Sequence, residues 1–98
     1  MLRYKLVFHQ KFLRKSAKLI KKNTEIESRL LAVLAQLSEN PFEASLHTHK
    51  VNDIHGEIAF SSKITGDIRI IWDFRENEIK IIELFDIGGH SGKNKVYR

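Results

Sequence analysis

The feature that most constrains this chain is a change of hydrophobic period at Asn40-Pro41. Ahead of it apolar residues recur at helical spacing, and behind it they alternate with a period of two. Phe12, Leu13, Ala17 and Ile20 fall at i, i+1, i+5 and i+8, which leaves Lys11, Arg14, Lys15, Lys18, Lys21 and Lys22 mostly on the outer arc of a first helix. Asn23-Thr24 is a stop-and-restart point, and Glu25 and Glu27 then lie in the first turn of a second helix, where the dipole favours anions. Ile26, Leu30, Val33, Leu34 and Leu37 form its apolar stripe. Pro41 ends it, because proline cannot continue a helix and drives its predecessor out of the α region.

Strand patterns flank this helical block. Tyr4 to Phe8 alternates before it, with Tyr4, Leu6 and Phe8 on one face. After it, His47 to Asp53 is polar and irregular, and is expected as a loop with some extended backbone. Gly56 to Ser62 reads as a strand; Ile68, Ile70, Trp72 and Phe74 mark the apolar face of the next; Ile79 to Ile87 is apolar on both faces for much of its length, as in a central strand or one covered on both sides. Thr65-Gly66-Asp67 and Glu76-Asn77 supply hairpin-length turns, and Gly88-Gly89 breaks the last strand. The order βααβββ predicts an α+β fold, with two helices packed on one face of a small antiparallel sheet, as one domain over residues 1–98. Trp72, which shares the face of Ile70 and Phe74, is expected in the core.

Composition narrows the chemistry. The chain has no cysteine, which excludes a disulfide scaffold, a Cys-ligated zinc and a thiol nucleophile. No apolar run approaches the roughly 18 residues of a membrane span, and no secretory h-region opens the sequence, so the cytoplasm is the expected location. Charge is unevenly placed: residues 1–22 hold eight Lys or Arg and no acid, and the last nine residues hold Lys93, Lys95, Arg98 and a histidine, again with no acid. Two basic zones suit a polyanion. A solvated basic helix that keeps a small protein soluble would look the same.

Two motifs fail on inspection. Gly88 to Asn94 resembles a phosphate loop, but the spacing is short by one residue and Asn94 stands where a hydroxyl is needed. His47-x-His49, with His55 and His90, lacks a carboxylate at ligand spacing, so no metal site and no cofactor is expected. What remains is a set of cations and proton-transferring groups: His49, Lys50, Lys63, Arg69, His90, Lys93 and Tyr97. Metal-free cleavage of RNA requires a base for the 2′-hydroxyl, a cation for the phosphorane and an acid for the leaving 5′-oxygen, roles these side chains can share. A passive RNA-binding surface would use the same residues.

Three segments in order resemble the RelE/ParE toxin superfamily. Ile64 to Trp72 (ITGDIRIIW) is similar to its GDYRIVY strand. Phe85 to His90 (FDIGGH), followed by Val96-Tyr97, is similar to its DIGTHDEVY ending. The joint Leu37 to Phe42 (LSENPF), continued by Leu46 and His49, is similar to its helix-to-loop joint. The resemblance implies the toxin of a bacterial type II toxin–antitoxin pair: RelE-like members are ribosome-dependent endoribonucleases, whereas ParE-like members poison gyrase. It further implies that Arg69 holds the scissile phosphate, that His90 and Tyr97 act as acid or base, and that His49 matches a loop histidine of YafQ-like members. RelE proper carries a Lys-x-Lys pair where this chain has Phe60 and Ser62, and Lys63 fills the slot of a YafQ-like histidine. The tail also carries an insertion, Gly92 to Lys95.

The reading is therefore a metal-independent endoribonuclease that cuts mRNA in the ribosomal A site. Lys11, Arg14, Lys15, Lys18, Lys50, Lys93 and Lys95 would contact mRNA or ribosomal RNA, and an acidic cognate antitoxin would be the protein partner. The alternative is a non-catalytic protein, either a gyrase inhibitor or an attenuated toxin acting as a co-repressor. Ordinary structural roles stay open for each residue: Arg69 pairing with Asp67 or Asp73, His90 capping the glycine turn, Tyr97 anchoring the C-terminus.

Overall fold

The computed structural model describes residues 3–89 and Val96. Strand β1 (Lys5–Phe8) leads into helices α1 (Gln10–Ile20) and α2 (Thr24–Glu39), then a short 3-10 turn (Ala44–Leu46) and strands β2 (His49–Asn52), β3 (Ile58–Lys63), β4 (Arg69–Arg75) and β5 (Glu78–Gly88). The five strands form one sheet in the order β1-β5-β4-β3-β2. This is the expected α+β arrangement of two helices on a mostly antiparallel sheet, with two differences.

The first difference is β2. The polar segment expected as a loop pairs antiparallel with β3, His49 opposite Ser61 and Asn52 opposite Ile58. Its side chains are largely exposed because it is an edge strand, so it lacks the apolar alternation that marks a half-buried one. The second is β1, which runs parallel to β5 with Lys5 opposite Ile81 and Phe8 opposite Leu84. β5 is thus interior, which explains its apolar residues on both faces.

Helix α2 follows its stripe, burying Leu30 and Leu37, and Asn23 caps it by accepting from the Ile26 N–H at 3.1 Å. Helix α1 is rotated from the expected face: Phe12 and Ser16 are buried, whereas Leu13 is 50% exposed and Ala17 is also outside. The reason is polar. Beyond the end of β1, α1 lies beside β5, and Lys15 and Lys11 reach Asp86 at 2.6 and 3.3 Å. Lys15 therefore sits on the buried side, at 13% side-chain exposure, and not on the outer arc.

The main core joins both helices to Ile70, Trp72, Ile82, Leu84 and Ile87. Trp72 is fully buried, as expected, stacked on Phe60 at 4.8 Å. A smaller cluster, Ala59, Ile71 and Val96 with Val51, lies on the opposite sheet face. Val96 donates its N–H to the Gly89 carbonyl, which brings the chain back over that face. A Cβ at Gly89 would stand 2.7 Å from the Asp67 carboxylate, an exposed side chain that would have to swing aside to admit it. Among the described residues no helix is long and apolar enough to cross a membrane.

Candidate functional site

Cross-strand register decides which side chains meet. Lys63 is opposite Arg69, and His49, Ser61 and Ile71 share the next row, so these residues occupy the sheet face opposite the helices. Lys50 pairs with Phe60 and belongs to the other face, so β2 does not bring it to His49. Lys63 also lines a shallow depression beside α2, with Arg29, Gln36 and Ser45.

Among the described residues Arg69 bonds to no carboxylate. Its Nε donates to Ser61 Oγ at 2.5 Å and its Nη2 donates to the main-chain carbonyl of His47 at 2.9 Å. The same carbonyl lies 3.0 Å from His49 Nδ1. Arg69 and His49 therefore converge on one turn, with Ser61 holding the Arg69 guanidinium, and in that turn His47 adopts a left-handed backbone with φ 49° and ψ 43°.

A hydrogen-bond chain in the core holds that turn on the sheet. Trp72 Nε1 donates to Ser62 Oγ at 2.8 Å, Ser62 and Thr48 hydroxyls meet at 2.6 Å, and Thr48 donates to the Pro41 carbonyl at 2.7 Å. An indole N–H can only donate and a carbonyl can only accept, so Ser62 donates to Thr48 and every proton has one direction. None of these hydroxyl roles was anticipated. The available signal was Ser61-Ser62, two small polar residues following Ile58, Ala59 and Phe60 in one strand; both are fully buried, which requires hydrogen-bond partners.

Charge is segregated along the face. Arg69, Lys63 and His49 mark one end. At the other, His9, Lys11 and His55 join Asp53, Glu57, Asp73 and Asp86 around a cavity of about 490 Å³. The His9 ring beside Glu83, at 2.9 Å, holds that carboxyl below its ordinary range, and Arg75 assists at 3.6 Å. A polyanion is favoured at the first end and disfavoured at the second. Among the described residues no three His, Asp or Glu side chains are placed to hold a metal ion. Of the α1 cations, Arg14 and Lys18 are exposed, while Lys11 and Lys15 are paired with Asp86. His90, Lys93, Lys95 and Tyr97 lie outside the described residues.

A second concavity, about 740 Å³, runs between β1 and α2. Its floor is Tyr4, Leu6, Phe8, Leu34 and Ile81, and Arg3, Lys5 and Lys80 stand around it. The Lys80 ammonium sits 5.1 Å from the Tyr4 ring centre.

The class of fold is thus a two-helix layer on a five-stranded, mostly antiparallel sheet whose first strand pairs in parallel with its last. No family model and no curated protein matches the sequence. Among solved structures, the YoeB dimer from Staphylococcus aureus shares this fold. Its TM-score is 0.64 at 11% sequence identity, with 91% of this chain and 99% of that chain covered.

Proposed function

We propose that this chain is the toxin of a type II toxin–antitoxin pair and a metal-independent endoribonuclease that cuts mRNA in the ribosomal A site. Its support from outside the chain is the fold shared with YoeB, a toxin of the RelE/YoeB microbial RNase toxin family. The observation that carries the chemistry is the convergence of Arg69 and His49 on the His47 carbonyl.

His49 takes the proton of the RNA 2′-hydroxyl. The 2′-oxygen then bonds to phosphorus, the bond from phosphorus to the 5′-oxygen breaks, and an acid protonates that leaving oxygen. Arg69, with Lys63 on the adjacent strand and Lys93, stabilises the crowded dianionic phosphorane. The resemblance of the C-terminal motif assigns the acid to His90 or Tyr97. Arg14, Lys18 and Lys95 extend the basic surface toward RNA, whereas Lys50 projects from the other face of β2, and no cofactor enters the reaction. An acidic antitoxin segment that folds on contact is the partner for the basic-rimmed apolar groove between β1 and α2.

Cleavage mapping of mRNA after induction, with and without ribosomes, and with EDTA added while excess magnesium keeps the ribosomes intact, examines this reading. Cuts within translated codons that depend on ribosomes are expected, and chelation should leave the chemical step unchanged. Growth arrest with intact mRNA and inhibited gyrase would replace it with the non-catalytic alternative.

A further inference from the structure

We propose that the main-chain carbonyl of His47 is the positioning element of this site, fixing His49 as the Nδ1–H tautomer with Nε2 as proton acceptor while aligning Arg69 beside it. The catalytic consequence rests on the ribonuclease reading above; the positioning itself does not.

The argument begins with the direction of the bonds. A carbonyl has no proton to give, so the 3.0 Å contact to His49 Nδ1 requires that nitrogen to carry the hydrogen. The neutral ring is then bare at Nε2, and the partner of one ring nitrogen sets the state of the other. The second lone pair of the same oxygen accepts from Arg69 Nη2 at 2.9 Å. One atom thus sets the proton acceptor and the phosphate-holding cation relative to each other.

That atom is held from both sides. The His47 N–H bonds back to the Ala44 carbonyl at 3.2 Å, closing the 3-10 turn. The following residue, Thr48, is tied by its hydroxyl to Pro41 and Ser62, with Trp72 behind them. Between these anchors the backbone passes through a left-handed conformation at His47, which turns its carbonyl toward Arg69 and His49. His47 acts through its backbone, so the side chain is replaceable provided the conformation survives. Glycine adopts positive φ freely and a β-branched residue resists it.

The test compares His47→Gly with His47→Val in the whole chain, reading the His49 tautomer by long-range proton–nitrogen NMR at about pH 8, where an ordinary imidazole is neutral. Wild type and His47→Gly are expected to show Nδ1–H at His49, and His47→Val to shift the population toward Nε2–H. RNA cleavage should fall roughly tenfold to a hundredfold with valine, as for a misplaced reacting group, and markedly less with glycine. If the valine chain does not fold, Thr48→Val, which removes the hydroxyl that ties the turn to Pro41 and Ser62, carries the same NMR readout and is expected to shift the tautomer. An Nε2–H ring in the wild-type chain, or a tautomer indifferent to all these changes, overturns the proposal. The expected tautomer pattern in a chain that cuts no RNA supports the positioning role and sinks the ribonuclease reading instead.

Discussion

Among the described residues Arg69 directs two of its five N–H donors, to Ser61 and to the His47 carbonyl, and both bonds fix the plane of the guanidinium. A cation oriented before substrate arrives stabilises developing charge without reorganising in the transition state. Arg69→Ala should therefore cost roughly 2 to 4 kcal/mol of transition-state stabilisation, a loss of about thirty- to a thousandfold in single-turnover cleavage. Circular dichroism and the melting midpoint should change little, because the side chain lies outside the apolar core. A folded Arg69→Ala protein that cleaves at the wild-type rate would remove the residue from the mechanism. Arg69 and His49 could both be named from the motif they resemble. Their meeting point could not, because a backbone carbonyl has no signature in the residue it belongs to.

At the scale of elements, the attachment of α1 to β5 depends on charge as much as on burial. Lys15 and Lys11 reach Asp86, and His9, just ahead of the helix, reaches Glu83. Glu83 has its pKa lowered from 4.5 in the folded chain, first by the hydrogen bond from His9 and further by Arg75. A carboxyl with a depressed folded pKa adds stability at pH values above its unfolded value, and that stability disappears as pH falls through the folded one. Denaturant midpoints should thus decline below about pH 4.5, and Glu83→Gln should flatten that decline while lowering stability near neutrality. An acid limb identical in both proteins would show that the pair contributes nothing. These contacts also explain why α1 turned a different face inward than its apolar residues indicated. A lysine counts as polar in any periodicity, yet here one is drawn inside by a carboxylate from a strand 71 residues away. Helix α2, whose neighbours are apolar, kept the face its sequence marks.

Across the whole molecule, the two surfaces proposed for RNA and for the antitoxin are separate. The cationic end of the sheet face carries Arg69 and His49, while the apolar groove lies between β1 and α2 with Arg3, Lys5 and Lys80 around it. An acidic amphipathic antitoxin segment in that groove should be displaced by Ala35→Glu with Lys80→Glu, both exposed positions, with affinity reduced about tenfold or more and the effect strongest at low salt. RNA cleavage by the same double variant should persist. Titration calorimetry of the neighbouring gene's product against wild type and variant, with cleavage assayed in parallel, checks both halves. Unchanged affinity would place the partner elsewhere on the chain.

The amino-acid sequence by itself determined both α-helices and every strand but β2, and the faces of most of them. Pro41 separates helical from alternating periodicity, α2 buries its apolar stripe, and β4 turns Ile70 and Trp72 inward. These follow from local geometry, in which the period of a segment specifies its backbone and its buried side together. Only the tertiary structure decided that β1 runs parallel to β5, that polar β2 is a strand, and that Lys15 is inside. It alone also placed the His47 carbonyl between Arg69 and His49, 22 residues apart from the former. Each of these depends on partners distant in sequence, and no periodicity within one segment encodes what another segment will offer it.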